Sequence, residues 1–383
     1  MAERLGTGLP ITDAAGREVL DNDSADKNVS SHIDKYVSPH KAESRELPES
    51  TFSCRICGEI NLSVPLPVPE MMFGMGQTFP YQECGQCGCL QICNYPSRME
   101  PFYPDDYYAF RQLQPELYRY RSRSDWFRRK ITLWNYLVAG DLLGKAGVET
   151  TIPYPTRFKA IRETGVKPWS SILDVGAGNG RFLCELYRMG FTDLAGVDRY
   201  IPDSFSPVDG VRIFRKELGE VPGSFDLITM NHVLEHMPDQ FDVLCQVRER
   251  LNRGGVAMVR IPVKSKAWEL YREHWVQLDA PRHFYLHTES SLRRLAGRAG
   301  LKVTRVIYDS TAFQFWGSEQ YRNGVTLRRD ERSLAVKRSQ PDSETDREPG
   351  IFTLTQLQQW EEMAEEWNRQ GYGDQAAFYL ERA

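Results

Sequence analysis

The sequence predicts an α/β protein with a mostly parallel sheet and helices on both of its faces. Between residues 170 and 310, apolar strand-like runs alternate with helical segments, which is the pattern of a doubly wound sheet. A glycine-rich turn separates the first of these strands from the helix that follows it. Six of the eight cysteines lie between residues 54 and 93, which adds a small separate domain ahead of the sheet.

The composition is that of an ordinary globular protein. Of the 383 residues, 41% are hydrophobic and 26% are charged, and the net charge of -4 is too close to neutral for a protein that coats nucleic acid. No apolar run approaches the roughly 18 residues of a membrane span, and the start MAERLGTGLPITD lacks the apolar stretch of a signal peptide. We therefore expect a cytoplasmic protein without membrane insertion.

The predicted elements follow one another in a clear order. Strands are expected at SILDVG, DLAGVD, FDLITMN, GVAMVRIP and LKVTRVIYD, and helices at RFLCELYRMG, DVLCQVRERL and, capped by Thr288, TESSLRRLAGRAG. A later helix begins at the cap Thr353, with Gln356 three residues on, and ends at Gly371; the strand QAAFYLER follows it. Residues 311–350 are polar, so we expect a solvent-exposed loop there.

Four segments result from these patterns. Residues 1–50 are polar and predict a disordered or loosely ordered arm. Residues 51–98 are too few to fold by apolar burial alone and require a metal. Residues 99–154 predict a helical connector that could serve as a substrate lid, and residues 155–383 form the main domain. The apolar helical face of the connector contains Trp126, Ile131, Trp134, Leu137 and Val138.

The glycine loop, residues 176–180, is the most informative motif. Gly176, Gly178 and Gly180 follow an apolar strand and precede a helix, so a ligand can approach the backbone closely. A dinucleotide fingerprint needs a third glycine where Arg181 stands, which disfavours a nicotinamide cofactor. The next strand ends in Asp198, twenty residues after Gly178, where a carboxylate can bind both hydroxyls of a ribose.

This glycine loop, Asp198, the strand FDLITMNHVLEH and the turn LNRGG together resemble class I S-adenosylmethionine-dependent methyltransferases. The resemblance covers roughly residues 155–310 and the final strand. It implies a Rossmann-like seven-stranded sheet whose last strand is antiparallel, with residues of about 311–371 inserted before that strand. It also implies S-adenosyl-L-methionine as the cofactor.

The resemblance further implies which residues bind the cofactor. The methionine end lies over the three glycines with Asp174 near its ammonium group, and the ribose lies on Asp198, although a helix cap is the alternative role of that carboxylate. Asn231 and His232 line the cofactor or have purely structural roles. The adenine is expected near residues 216–218, which carry no clean match to the family pattern.

The cysteine spacing predicts a metal site. Two Cys-x2-Cys-Gly knuckles, separated by 26 residues, contain Cys54, Cys57, Cys84 and Cys87. Four thiolates complete a tetrahedral zinc site and leave no open position, so the zinc is expected to be structural, in a zinc ribbon. An iron–sulfur cluster that uses Cys89 or Cys93, and a redox dithiol, are the alternatives.

A zinc ribbon ahead of such a core resembles the sugar methyltransferases of deoxysugar and surface-polysaccharide biosynthesis, as do YDSTAFQFWGSEQY and GDQAAFYL, which resemble lipopolysaccharide and O-antigen methyltransferases. The resemblance implies a nucleotide-linked sugar or a surface-polysaccharide precursor as acceptor, with carbon and oxygen methylation both open. The alternatives are an RNA methyltransferase and a non-catalytic, S-adenosylmethionine-binding regulatory partner. The low charge and NHVLEH, in place of an Asn/Asp-Pro-Pro-aromatic motif, disfavour RNA.

A loop of residues 275–288, the acceptor loop, is expected to overhang the transferred methyl group. A neutral hydroxyl or an enolisable carbon needs a base, for which His283 is the first candidate and His236 or His287 the substitutes. A structural hydrogen bond is the alternative role for each of these histidines.

The connector carries two further candidate features. Tyr103, Tyr107 and Tyr108 could form a wall of the acceptor site or pack between the two domains. Residues 111–130 have a net charge of +5, which could bind the diphosphate of a nucleotide sugar or be a solvated helix face.

Overall fold

The computed structural model describes residues 11–12, 18–19, 53–60, 62–104, 113–137, 160–337 and 350–383. The chain divides into two units, Met1–Thr51 and Phe52–Ala383. In the first unit, strands β1 (Ile11–Thr12) and β2 (Glu18–Val19) pair antiparallel, and the rest of the predicted arm lies outside the described residues. Within the described ranges, none of the helices combines the length and the apolar character that crossing a bilayer requires.

A small antiparallel sheet follows in the cysteine region, which we define as residues 53–93. Its strands are β3 (Leu66–Pro69), β4 (Thr78–Glu83) and β5 (Leu90–Ile92). A fourth strand, Tyr285–Leu286, joins it from the acceptor loop and pairs with β5. The cysteine region and the acceptor loop are therefore parts of one sheet.

A seven-stranded mixed sheet forms the centre of the second unit. It contains β6 (Ser171–Val175), β7 (Asp193–Val197), β8 (Val211–Phe214), β9 (Phe225–Asn231), β10 (Leu251–Pro262), β12 (Leu301–Tyr308) and β13 (Gln375–Arg382), with Tyr285–Leu286 as β11 of the small sheet. The order is β12-β13-β10-β9-β6-β7-β8, and β13 is antiparallel to both of its neighbours. The predicted sheet is confirmed, including its antiparallel last strand; β8 is the one strand of it that the sequence patterns did not identify.

Eight helices accompany the sheet in the described ranges. They are α1 (Arg123–Leu137), α2 (Arg181–Met189), α3 (Gln240–Arg250), α4 (Lys266–Tyr271), α5 (Glu289–Arg298), α6 (Phe313–Arg322), α7 (Leu334–Lys337) and α8 (Leu354–Gln370). The predicted caps are confirmed, because the Thr288 and Thr353 side chains accept hydrogen bonds from Ser291 and Gln356, and Gly371 ends α8 at φ +77°. These caps satisfy backbone groups that the helix itself leaves unpaired.

Alternation along the strands divides the core between the two faces of the large sheet. Ile172 and Leu227 pack into the apolar cluster of one face, and Leu173 and Ile228 pack into that of the other. The second cluster continues through the buried residues of the cysteine region. The cysteine region is therefore packed against the sheet rather than attached only by a linker.

One acidic residue fixes the start of the central strands. Asp226 opens β9 and accepts hydrogen bonds from the backbone N–H of Ser171 at 3.0 Å and from Nδ2 of Asn252 at 2.7 Å. These bonds connect β6, β9 and β10 at their amino ends. Asp226, the second residue of the predicted strand FDLITMN, thus has a structural role.

The prediction of a solvent-exposed loop at residues 311–350 is wrong for the first part of that segment. Helix α6 occupies that part, and its residues from Gln314 to Tyr321 are buried. Gly317 permits this packing, since a Cβ there would lie 2.7 Å from Cγ2 of Val276 in the acceptor loop. The polar composition of α6 led to the wrong prediction, because a polar side chain can be buried when it has hydrogen-bond partners.

The predicted apolar face of the connector helix lies on the solvent side of that helix. Helix α1 forms, but Trp126, Ile131 and Trp134 are exposed, whereas Asp125 and Leu133 are buried. Nη1 of Arg188 in α2 lies 2.6 Å from the Asp125 carboxylate and holds this side of α1 against the sheet domain. Val138 lies outside the described residues, and the role of the connector as a lid stays a prediction.

Candidate cofactor and acceptor site

The glycine loop adopts a backbone conformation that side chains rarely allow. Gly176, Gly178 and Gly180 have φ values of +71°, +52° and +79°. The N–H groups of Gly176 and Ala177 both point back to the carbonyl of Val197 at the end of β7. A Cβ on Gly176 would lie 2.5 Å from Cγ2 of Val233, so this glycine is also required by the segment that follows β9.

Asp198 follows β7 and contacts the glycine loop directly. Its carboxylate accepts hydrogen bonds from the N–H of Gly178 at 3.0 Å and from that of Tyr200 at 2.8 Å. Within residues 160–337 no helix begins at Asp198, so the helix-cap alternative is excluded. An anionic group is thereby held at the carboxyl edge of two adjacent strands, where open α/β sheets bind ligands.

Asp174 lies inside β6, immediately before the glycine loop. It is 4% exposed, and its Oδ1 accepts a hydrogen bond of 2.6 Å from Oγ1 of Thr229 in β9. The position of this carboxylate is therefore fixed by the neighbouring strand.

Asn231 and His232 end β9 beside the same loop. The Nδ2 atom of Asn231 is buried and has no hydrogen-bond partner among the described residues, so a bound group could accept from it. His232 has φ +54°, a left-handed conformation that is costly for a residue with a Cβ. Arg260 fixes it, because Nη1 of Arg260 lies 2.8 Å from Nε2 of His232 and the Arg260 carbonyl accepts the His232 N–H.

The short 3-10 turn Leu234–His236 connects the glycine loop to the histidines of the acceptor loop. Its central residue, Glu235, is fully buried, yet neither carboxylate oxygen accepts a hydrogen bond of good geometry from a described residue. Nδ1 of His232 lies 3.3 Å from Oε1 of Glu235. Burial raises the pKa of Glu235, but the neighbouring histidines outweigh it and lower that pKa overall.

Glu235 is a residue that the sequence patterns missed. The signal was available in the letters His232-Val-Leu-Glu235-His236, where a carboxylate stands between two histidines directly after a strand.

His236 and His283 lie together although they are 47 positions apart in the sequence. Their ring centroids are 4.8 Å apart. Nδ1 of His283 donates to the carbonyl of Gln277 at 2.7 Å, and Nδ1 of His236 donates to that of Arg282 at 2.8 Å. With these tautomers, both Nε2 atoms carry a lone pair. Glu235, His236 and His283 bring ligand atoms within 4.8 Å of one another, a donor set that suits a proton or a cation.

The two histidines differ in access to solvent. His283 is buried, and this burial, followed by the nearby His236, lowers its pKa to about 4. Its Nε2 lies 3.8 Å from Oδ2 of Asp279, a carboxylate that favours a proton there. His236 is half-buried and lies 3.4 Å through Nδ1 from the hydroxyl of Tyr103.

His287 has structural partners at both ring nitrogens. Nδ1 lies 2.9 Å from Oγ of Ser291, and Nε2 lies 2.8 Å from Oε1 of Gln240. Complete burial lowers its pKa to about 4. Its position thus differs from that of His236 and His283, whose Nε2 atoms are not engaged in this way.

A buried ionic network attaches the acceptor loop to the cysteine region. Arg282 is fully buried and forms ion pairs with Glu70 at 2.9 Å and with Asp279 at 2.6 Å. The hydroxyl of Tyr81 donates to the carbonyl of His283 at 2.8 Å. Together with the β5–β11 pairing, these contacts place the backbone of the candidate base on the cysteine region.

The remaining candidates are placed as follows. Tyr107, Tyr108 and Arg111 lie outside the described residues. Residues 216–218 follow β8, and Leu218 starts a 3-10 turn that Glu217 caps. The described cations of the basic segment that are fully exposed are Arg119, Arg121, Arg123 and Arg128.

Four cysteines converge at the two knuckles. The Sγ atoms of Cys54 and Cys87 are 3.6 Å apart, those of Cys57 and Cys84 are 3.5 Å apart, and all four lie within 4.8 Å of one another. Tetrahedral zinc with bonds of about 2.3 Å requires sulfur separations of about 3.8 Å, so the set fits this ion.

The surroundings of the sulfurs also suit a metal. Gly58 and Gly88 follow the knuckles at φ +80° and +71°, as the motif predicts. The hydrogen bond from Cys87 lowers the pKa of Cys54 to about 4, and the same bond raises the pKa of Cys87, because the two thiols share a proton. Nε2 of Gln91 donates a hydrogen bond of 3.0 Å to Sγ of Cys54. Hydrogen bonds of this kind, from a side chain outside the metal site to a sulfur within it, orient the ligands of a metal.

Comparisons with known proteins agree with this geometry. Residues 144–306, under half of the chain, match the family described as a methyltransferase domain. The trans-aconitate 2-methyltransferase of Deinococcus radiodurans is 28% identical over 101 residues, which are 25% of this chain and 39% of that protein. The ubiquinone biosynthesis O-methyltransferase of Paramagnetospirillum magneticum is 32% identical over 111 residues, which are 26% of this chain and 44% of that protein.

The chain thus spans less than half the length of these curated relatives. A crystal structure of an S-adenosylmethionine-dependent methyltransferase from Mesorhizobium loti is 17% identical, with a TM-score of 0.35, over 60% of this chain and 97% of that one. The family match contains the glycine loop, Asp198 and strands β6 to β10, so this part of the molecule is similar to a methyltransferase domain. Which acceptor such a domain uses is a separate question. The residues that bear on it are the buried histidines and the cysteine region.

Proposed function

We propose that this protein transfers a methyl group from S-adenosyl-L-methionine to a small acceptor, a nucleotide-linked sugar or surface-polysaccharide precursor. The observation that carries the proposal is the direct contact between Asp198 and the glycine loop at the carboxyl edge of the sheet. The unpartnered Nδ2 of Asn231 beside this edge supports it. The acceptor class rests on the resemblance of the chain to sugar methyltransferases.

The residues on the cofactor side bind the cofactor and orient it. S-adenosyl-L-methionine supplies a methyl group that is already activated on a sulfonium, so the chain mainly has to align the acceptor and exclude water. We assign Asp174 to the ammonium group, Asp198 to the ribose hydroxyls, and the three loop glycines to the methionine end. Asn231 and His232 are assigned to the rim of the same site.

The acceptor-side residues handle the proton. We propose that His283, with the more accessible His236 beside it, accepts the proton of the acceptor hydroxyl or carbon at Nε2. The lone pair is available because Nδ1 donates to a backbone carbonyl in both rings. Asp279 near His283, and Glu235 near both, stabilise the imidazolium that forms.

Cofactor binding is the first test. Isothermal titration should show that the protein binds S-adenosyl-L-methionine and that Asp198→Ala weakens binding by about tenfold or more, since hydrogen bonds to a charged group contribute about 1.5–3 kcal/mol. Asp203→Ala, at an exposed acidic residue of the same segment, is the matched control and should bind normally. Equal affinity of the two variants would refute the assignment of the ribose site.

The acceptor is tested with labelled cofactor. Mass spectrometry of a nucleotide-sugar panel, with RNA as a parallel acceptor, should detect label in a sugar. His283→Ala and His236→Ala should lose about 10²–10⁴-fold in kcat, whereas the half-buried His274→Ala should retain activity. Label in RNA alone would overturn the sugar proposal, and binding without any transfer would point to a regulatory partner.

The proposed zinc is structural and is tested separately. Elemental analysis should find about one zinc per chain, which is lost in Cys54→Ser/Cys57→Ser because two thiolates do not retain the ion. Cys245→Ser removes a cysteine outside the cluster and should keep the metal. Iron in place of zinc would favour the cluster alternative.

A further inference from the structure

Helix α1 presents large apolar side chains to solvent. Trp126, Phe127, Ile131 and Trp134 are 42%, 60%, 43% and 49% exposed, and Trp169 is 66% exposed. Phe127, Ile131 and Trp134 stand at i, i+4 and i+7 and form one stripe, and Trp126 lies at its edge, eight positions before Trp134. An exposed apolar surface of this kind usually marks an interaction site.

The opposite side of α1 is anchored, so the stripe has no route into the core. Leu133 is 1% exposed, and Asp125 is bound by Arg188 of α2 at 2.6 Å. Gly190 allows α1 to approach closely, because a Cβ there would lie 3.3 Å from the Arg129 carbonyl oxygen. A rotation of α1 that buried the tryptophans would break these three contacts.

The stripe continues into a shallow cavity beside α1. Ile131, Trp134, Pro168 and Trp169 provide its apolar wall, and Lys130 and Thr192 form its rim. Nζ of Lys130 lies 3.5 Å from Oγ1 of Thr192. An apolar chain with an anionic head matches this combination of an apolar wall and a single cation at the edge.

Positive charge predominates at the amino end of the same helix. Arg119, Arg121, Arg123 and Arg128 are exposed, against one exposed carboxylate, Glu116. Arg128 also lies 3.2 Å from Asp125, which is buried and paired with Arg188. Tryptophans and aliphatic residues next to arginines and lysines are typical of helices that lie in the headgroup region of anionic membranes. The charge of this face contrasts with the net charge of -4 of the whole chain.

We propose that this α1 face, the stripe with Trp169 and the flanking arginines, binds the surface of an anionic phospholipid bilayer. The aromatic rings lie at the headgroup level, and the arginines and Lys130 contact lipid phosphates. A second copy fits less well, because the same face of that copy would offer the four exposed arginines only one exposed carboxylate, Glu116. The proposal is independent of the methyl acceptor.

Vesicle co-sedimentation of the full chain tests the proposal. The protein should bind phosphatidylcholine vesicles that contain phosphatidylglycerol, and binding should weaken with salt. Trp126→Ser/Trp134→Ser/Trp169→Ser should abolish it. Arg121→Gln and Arg123→Gln should each weaken binding about fivefold, which corresponds to about 1 kcal/mol per basic residue at an anionic surface.

The control is Val64→Ser/Leu354→Ser, which removes two apolar side chains that are 86% and 65% exposed outside this face. It should bind vesicles like the original protein. Retained affinity for S-adenosyl-L-methionine and a normal melting curve show that the triple variant is folded. Vesicle binding that survives in the folded triple variant, or absent binding in the original protein, overturns the proposal. Two other results would also overturn the proposal. One is a dimer in sedimentation velocity that is lost only in the triple variant, and the other is binding of labelled RNA that is lost only in the triple variant.

Discussion

The two sides of the site are built in different ways. On the cofactor side, residues 174–198 supply the glycine loop and both assigned carboxylates, and the key contacts involve backbone N–H groups. On the acceptor side, Glu70, Glu235 and Arg282 come from separate segments, and the contact between Glu70 and Arg282 spans 212 positions. A local backbone site tolerates changes elsewhere in the chain, whereas a site of distant buried side chains depends on every segment that supports it.

The largest expected effect comes from removing the proposed zinc. Structural zinc contributes about 10–16 kcal/mol in small peptides, and the cysteine region supports the acceptor loop through β5 and Tyr81. Chelation should therefore abolish methyl transfer while affinity for S-adenosyl-L-methionine changes by less than about threefold. Activity assays and titration calorimetry on the same chelated sample measure both. If cofactor affinity falls in parallel with activity, the two sides are not independent.

Arg282→Met should be the most damaging single substitution. It leaves Glu70 and Asp279 without their buried partner, which costs about 3–5 kcal/mol in the free energy of unfolding. Urea denaturation gives this value directly. Arg369→Met breaks an exposed pair with Glu366 and should cost less than about 1 kcal/mol. Similar losses for both would mean that the network does not stabilise the acceptor loop.

The acceptor loop should also make stability depend on pH. His283 and His287 have pKa values lowered from 6.5 to about 4, so the unfolded chain binds their protons first and stability falls as the pH drops below 6.5. Burial raises the pKa of Asp374 to about 6, which acts in the opposite direction. Between pH 6.5 and 4.5 each histidine costs about 2 kcal/mol and Asp374 returns slightly less than one histidine costs, so the net loss is about 2–3 kcal/mol.

Urea denaturation across this pH range measures the loss. His287→Gln removes one of the two histidines and should reduce the loss to less than about 1 kcal/mol, because Asp374 then offsets most of the loss from His283. A stability that rises as the pH falls through this window would contradict the assignment of neutral buried histidines.

The smallest expected effect lies on the cofactor side. Gly176→Ala places a side chain at φ +71° and within 2.5 Å of Val233, which should cost about 1–2 kcal/mol. Adding Val233→Ala should relieve the steric part and leave the backbone part. Melting temperature and cofactor affinity measure both contributions. An unchanged cofactor affinity in Gly176→Ala would show that the loop conformation is not what the cofactor requires.

The cofactor side was predicted well from the sequence because its residues lie close together along the chain. Gly176, Asp198 and the end of β9 are local signals, since each depends on a strand and the turn directly after it. The order of the sheet follows from the alternation of strands and helices, although the four residues of β8 were too short to stand out.

The acceptor side could not be predicted to the same depth. His283 was a candidate by residue type, but its partners Gln277, Tyr81 and His236 are brought together only by tertiary packing. The burial of α6 was mispredicted, and the exposure of the apolar face of α1 was not predictable, because helical spacing identifies an apolar face and does not identify what that face packs against.

The pairing of Tyr285–Leu286 with β5 has a consequence for exchanging parts between relatives. A chimaera that takes only its cysteine region from another protein would lose the partner strand and the buried counterion of Arg282 at the same time. The unit of transplantation is therefore the cysteine region together with residues 275–288. A change of acceptor by recombination requires both pieces from one parent, even though roughly 180 residues, which include five strands of the large sheet, lie between them.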